Sequence, residues 1–426
     1  MAERSRLLES PWWIVVGSTI ALIVGNGPVG LFSVGVFLKP ITVEFGWERA
    51  TMTGAYGVST VFSAICVPIV GMMIDRWGIK RVMLPVVSLY ALSLAALSQT
   101  TASPLVFSML YALVGIAGAG QGPLPYVKSI SAWFDRTRGL ALGIAMAGIG
   151  IGVMIVPQIA RLMIQEYGWR TAYVGLGALM FIVAFPSLLF FIREPEEGYA
   201  RRRRQLSQAA DIVLPGVSVR EALTGIRFWV LALSVFCVAT VVNGIAVHVV
   251  PLLTDRGMTA AVATSMLGSF GLGTLAGRLV SGYLVDRFFA PYVAAAFFLL
   301  ACLGIVLIAS GAGGGAAMAG IIFLGLAAGS EIDMIGFLTS RYFGLRRFGE
   351  LYGYVFAVFS AGTGLGPLLL GLCYDRFHSY DYALFGYIGL LVIASAAVVT
   401  LGAYTFPVEK EKFATGPDPA APKLAT

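Results

Sequence analysis

The chain alternates long apolar runs with short charged joints, and that pattern constrains its fold more than any motif. Twelve apolar segments lie near 12–38, 51–74, 82–99, 105–132, 139–163, 171–192, 227–252, 261–285, 292–310, 317–340, 350–373 and 383–405. A helix crosses the hydrocarbon of a bilayer in roughly 20 residues, so each segment is a candidate span. Hydrophobic residues make up 58% of the chain and charged ones 12%, with a mean hydropathy of +0.86. A soluble domain has about 25% charged residues and could not cover so much apolar surface. The solvent is therefore lipid, and the expected fold class is an all-α integral membrane protein with twelve transmembrane helices.

The formal charge of +7 does not describe a nucleic-acid face, because the basic residues sit in short joints between spans. They report topology instead. Placing the N-terminus in the cytoplasm puts 21 Lys and Arg on the inner side against 6 outside, which satisfies the positive-inside bias. Both termini and the polar interval 193–226, rich in arginine, are expected on the cytoplasmic face of the plasma (inner) membrane. The first apolar run, about 11–38, is too long for a cleavable signal and is expected to stay as the first span. The expected organisation is an N-terminal half at 1–192, a linker at 193–226, a C-terminal half at 227–406 and a short tail at 407–426. Cys66, Cys237, Cys302 and Cys373 lie inside apolar runs with no CxxC spacing, so neither a metal site nor a disulfide framework is expected.

The chain repeats itself. Gly71-x-x-x-Asp75-Arg76 after segment two recurs as Gly282-x-x-x-Asp286-Arg287 after segment eight. Trp133-Phe134 recurs as Tyr342-Phe343, and Pro157 as Pro367. The three offsets, 211, 209 and 210, agree closely. They indicate two parallel six-helix halves, an arrangement that places a substrate site between the halves near the midplane.

The stretch Gly71 to Arg81, GMMIDRWGIKR, resembles the loop signature of the major facilitator superfamily, G-x-x-x-D-R-x-G-x-[RK]-[RK]. Gly71 permits close helix contact. Asp75 is able to accept from a helix N-terminus or pair with a base of the other half. With Arg76, Asp286 and Arg287 these residues are candidates for conformational gating. Within the superfamily the chain is similar to the monocarboxylate transporter and oxalate/formate exchanger branch. The similarity rests on FLKPITVEFGWERA (37–50), WFDRTRGLALGIAMAGIGIG (133–152), GRLVSGYLVDR (277–287) and RYFGLRRFGELYG (341–353). Segment five lacks the G-x-x-x-G-P run of proton-driven drug exporters.

Ionisable groups within spans are costly and mark function by default. Arg278 stands eight residues before Asp286, about 12 Å above the inner boundary. Its planar fork suits a carboxylate, and the resemblance puts the substrate-binding arginine of helix eight there. Glu331 and Asp333 stand near the same level and are the candidate proton carriers. Two residues apart on a helix means about 200° of rotation, so only one faces the central cavity. An anion on Arg278 would remove that cation's hold on a nearby carboxylate and favour its protonation. The animal monocarboxylate carriers have an aspartate one turn before this arginine; here it is Thr274, so the proton site is expected elsewhere.

His248, with Asn243 deeper in segment seven, is read either as lining the outward path or as a packing residue. Lys39 aligns with the lysine of FPK-type segments in monocarboxylate carriers and is read as a gate, an attracting cation or a snorkelling lysine. Tyr126, Tyr352 and Tyr354 fall near the depth of Arg278 and offer hydroxyls to a substrate, or pack. There is no phosphate loop, metal spacing or nucleophile set, so no cofactor, metal, catalytic site or nucleic-acid partner is expected.

These features predict proton-coupled movement of a small monocarboxylate such as lactate or pyruvate by alternating access, in a protein working as a monomer. Segment eleven, from Glu350 to Cys373, holds no Lys, Arg or His, where the oxalate exchangers place a second cation. The alternatives are an organic-anion exchanger using Lys39, Lys128 or His248 as that cation, and a nutrient sensor with a transporter-like core.

Overall fold

A computed structural model describes residues 10–134, 137–193, 216–311, 313–344 and 346–406. Most of these residues are helical, as lipid demands of backbone groups that have no water to bond. Span one is α1 (Trp12–Ile23), a π-helical turn (Gly27–Leu31) and α2 (Val34–Phe45). Spans two and three are α3 (Arg49–Trp77) and α4 (Ile79–Ala96). Span four divides into α5 (Pro104–Gly118) and α6 (Leu124–Trp133). Spans five and six are one assigned helix, α7 (Arg138–Phe191), broken where Gly168 takes φ 79°. A short helix α8 (Val219–Thr224) precedes the second half. That half holds α9 (Ile226–Asp255), α10 (Ala260–Val285), α11 (Ala290–Ala309), α12 (Gly314–Phe343), α13 (Phe348–Phe377) and α14 (Asp381–Val399).

Eleven helical segments are long and apolar enough to cross a membrane. One, Leu140–Phe191, runs 52 residues and turns back at Gly168, which makes twelve crossings. Both described chain ends therefore lie on one face, termed the terminal face; the other is the far face. The glycine of the loop motif has a conformational reason. Gly78, at φ 89° and ψ 158°, ends α3 and starts α4, a left-handed corner that a side chain would strain.

The buried side chains form two clusters. One draws on residues 14–192 with Val247, the other on 222–401 with Phe32, Val36 and Val153. The expected linker falls mostly at 194–215, outside the described residues, as does the tail beyond 406. In the described part of the linker, Ser218 and Glu221 form a reciprocal cap on α8.

Helices within each half approach through glycine, because lipid gives no hydrophobic drive for their association and contact must come from close packing. In the second half, α10 meets α12 through Gly273 and Gly277 against Gly325 and Gly329. A Cβ on Gly329 would stand 2.9 Å from the backbone N of Arg278. That contact sets the height and rotation of Arg278.

Between the halves, the described polar and glycine contacts lie toward the far face or at the membrane middle. Gln158 bonds Ser265 at 2.9 Å. Gly57 of α3 meets Gly364 of α13, and Gly150 of α7 meets Gly271 of α10. Among the described residues these contacts close the far face, and no polar contact between the halves is found toward the terminal face.

Candidate functional site

Arg278 lies on α10, packed against α12 of the same half. Its side chain is 14% exposed, and Nη1 stands 4.0 Å from Asp333 Oδ1 on α12. That is the outer limit of an ion pair and beyond hydrogen-bond reach. Nε is buried and donates to no partner among the described residues. A guanidinium carries five donors in a fixed plane, and here most face no fixed acceptor. A carboxylate arriving from the terminal face would find a two-pronged partner.

Asp333 and Glu331 point apart, as their helical spacing requires. The Asp333 side chain is 47% exposed. With Met334 and Phe337 it lines a cavity of about 440 Å³, whose other wall is Ser281, Val285 and Asp286 of α10. Glu331 is buried, and its Oε1 has no described partner. Asp333 is thus the carboxylate that faces open space beside Arg278. Tyr352 of α13 lies within electrostatic reach of both, whereas Tyr354, 47% exposed, turns away from them. Tyr126 is buried in the first half's core with its hydroxyl unbonded, and no described contact ties it to Arg278.

The far face holds a second ionic group, which joins the halves. Asp255 at the end of α9 accepts from Lys39 Nζ at 2.6 Å and from Arg49 Nη1 at 2.7 Å. The Arg49 guanidinium lies 3.5 Å over the Tyr374 ring and also donates to the Tyr380 hydroxyl. Of the two readings of His248 and Asn243, path lining and packing, the structure described shows both side chains buried. His248 is fully buried, with Nδ1 3.0 Å from Tyr380 Oη and Nε2 2.9 Å from the Pro367 carbonyl. A carbonyl only accepts, so Nε2 carries a proton and His248 braces the closed gate. Asn243 is buried and donates to Ala239 O within its own helix. Lys39 is held in the gate by its bond to Asp255, so the structure does not bring it to Arg278.

Asp375 extends this gate. It accepts from the backbone N of Arg49 at 3.0 Å and of Ala50 at 2.8 Å, a carboxylate of one half capping a helix of the other. The residues around it read Gly371-x-x-x-Asp375-Arg376, a third copy of the loop motif on the opposite membrane face. A Cβ on Gly371 would come 2.9 Å from Ala50 N, so the glycine is what allows the cap. On the terminal face no described contact joins the motif to the other half. Gly71 O accepts from Lys128 Nζ at 3.1 Å. Arg76, Asp286 and Arg287 lie toward solvent, with Arg287 stacked 3.7 Å over Tyr283. The Asp75 side chain lies outside the described residues.

Two six-helix halves related by an internal repeat and joined across the far face have the architecture of a membrane carrier. The model of the Major Facilitator Superfamily matches residues 20–350, and the chain belongs to that family of membrane transporters. Human monocarboxylate transporter 11 is 26% identical over 384 residues, covering 85% of this chain and 77% of that protein. An uncharacterised transporter of the same superfamily from Bacillus subtilis (strain 168), YcxA, is 24% identical over 409 residues, covering 92% of each. Among solved structures, a point mutant of the nucleoside transporter NupG superposes with a TM-score of 0.70 at 14% identity, over 93% of this chain and 100% of that one. A bacterial homologue of the human lysosomal transporter Spinster gives 0.66 at 17% identity, over 93% and 96%.

Proposed function

We propose that the protein carries a small monocarboxylate, of the size of lactate or pyruvate, together with a proton across the plasma membrane, with both termini in the cytoplasm. The observation that carries this reading is Arg278, a largely buried guanidinium with an unbonded Nε and a carboxylate neighbour only at 4.0 Å. In the proposed cycle the terminal face opens to admit the substrate from the cytoplasm. Arg278 takes its carboxylate through the planar fork.

Asp333 carries the proton. It faces the cavity and shares Arg278 with the incoming anion, so substrate on Arg278 weakens the hold of that cation and favours protonation of Asp333. Loaded with both, the site is neutral and able to cross between states; with one alone it bears a charge that disfavours occlusion. The gate of Lys39, Arg49, Asp255 and Asp375 then opens as the loop motifs of the terminal face engage. One polypeptide supplies both halves, which supports function as a monomer.

The candidate second cations for a dianion are engaged elsewhere. Lys39 bonds Asp255, Lys128 bonds Gly71 O, and both ring nitrogens of His248 are taken. This favours a single carboxylate over dianion exchange. In proteoliposomes, an inward proton gradient is expected to drive accumulation of labelled lactate or pyruvate. Uptake indifferent to the gradient and dependent on internal anion contradicts the reading and supports exchange.

A further inference from the structure

Pro367 stands inside α13, the helix of span eleven. Having no N–H, it leaves the Thr363 carbonyl without its helical donor, so the helix bends most easily there. Side chains of two other spans hold the carbonyls at that point. Tyr387 Oη of α14 donates to Gly366 O at 2.6 Å, and His248 Nε2 of α9 stands 2.9 Å from Pro367 O. Glycine brings α9 this close, since a Cβ on Gly244 would stand 3.0 Å from the carbonyl carbon of Gly366. Eight residues beyond Pro367, about 12 Å along the helix, the outer end of α13 is fastened to the first half. Asp375 caps α3 there, and the Tyr374 ring lies under Arg49.

Two side chains join these places. The Arg49 guanidinium only donates, so the Tyr380 oxygen accepts from it and turns its own proton to His248 Nδ1, 3.0 Å away. His248 Nε2 then donates to the Pro367 carbonyl. The chain runs one way, from Arg49 through Tyr380 and His248 to the backbone of span eleven. Arg49, Tyr380 and His248 are all buried, so water does not compete for these bonds. The charge at the head of such a chain polarises each bond below it, and a broken link leaves buried groups unpaired. Neither His248 nor Tyr380 takes part in the carriage of anion or proton assigned to Arg278 and Asp333.

We infer that His248 and Tyr380 are positioning residues of the transport cycle, which tie the bending point of span eleven at Pro367 to the seated arginine of the far-face gate. While Arg49 is seated, the chain holds the Pro367 carbonyl and keeps the outer end of α13 against α3. When Arg49 withdraws with the first half, Tyr380 loses its charged donor, the bonds below it weaken, and the outer end of the span is released to swing. Opening of the ionic gate and bending of span eleven are thereby one event. The inference concerns the gate alone and does not depend on which substrate Arg278 binds.

Spin labels at Val43 and Phe377, both exposed on the far face, with the native cysteines replaced, measure the gap between the first half and the outer end of span eleven in purified, substrate-free protein. Tyr380→Phe removes one oxygen and keeps the ring. It is expected to raise the ratio of long to short distances about three- to tenfold, the effect of one buried hydrogen bond. His248→Leu does the same, and the two together go no further than either alone, because they cut one chain. Gln158→Ala, which removes the separate bond to Ser265, adds to Tyr380→Phe and shows that the ratio is not saturated. His248→Gln, whose amide is able to donate to Pro367 O and accept from Tyr380, restores the wild-type ratio. Unchanged distances in Tyr380→Phe, additive effects of Tyr380→Phe and His248→Leu, or a glutamine no better than leucine overturns the link. Tyr380→Phe against wild type decides the matter by itself where a substitution at His248 fails to fold.

Discussion

Arg278 Nη1 stands 4.0 Å from Asp333 Oδ1, near enough for each charge to feel the other and too far for either to be saturated. A tight buried pair would hold both groups in every state, since parting one leaves an uncompensated charge. A loose pair leaves room for a third group to compete, in the proposed mechanism the substrate anion. The charge arrangement of the carrier rests on that spacing.

Asp333→Asn is expected to abolish proton-driven accumulation while sparing counterflow, the exchange of labelled for unlabelled substrate at equal pH on both sides. Glu331→Gln keeps both activities, because Glu331 is buried away from the cavity. Loss of gradient-driven uptake in Glu331→Gln with normal behaviour of Asp333→Asn would reverse the assignment of the proton.

Asp255→Asn leaves Lys39 and Arg49 without their shared carboxylate. Charge-assisted bonds of this kind contribute roughly 1.5–3 kcal/mol each, enough to move a two-state equilibrium roughly ten- to 150-fold. Spin labels at Glu166 and Ala261, with the native cysteines replaced, are expected to report a longer far-face distance in the variant. An unchanged distance distribution would show that the ionic group does not hold the gate.

The twelve crossings are legible from composition because lipid leaves an apolar run little choice but to be helical. The depth of Arg278 and the opposed faces of Glu331 and Asp333 follow from helical rise and rotation. The breaks in spans one and four escape a reading of hydropathy, since Gly27–Pro28 and Gly122–Pro123 interrupt the helix without interrupting the hydrophobicity. The gate escapes it too. Asp255 and Asp375 stand at span ends, where charge reads as topology, and only the assembled halves show which base each one meets. The third G-x-x-x-D-R at Gly371 is the available signal. His248 stays open between path and packing in a sequence reading, because a sequence does not reveal that Tyr380 and Pro367 stand around it.

Gly329→Leu forces a side chain into the backbone of Thr274 and Arg278. Overpacking of that kind costs about 1–3 kcal/mol, so the thermal midpoint of the purified protein is expected to fall and substrate protection to weaken with it. Gly282→Ala, whose Cβ would meet nothing within 4 Å, is the matched control and keeps the wild-type midpoint. Equal midpoints for both variants would mean that the α10–α12 contact does not set the position of Arg278.

The most direct measurement is the affinity of purified Arg278→Lys for lactate and pyruvate against wild type, with stability followed in parallel. A lysine keeps the charge and loses the planar fork. Binding weakened by at least about tenfold at unchanged stability, one hydrogen bond to a charged group or more, is the expected result. Unchanged affinity would contradict the assignment and place the substrate carboxylate on another residue.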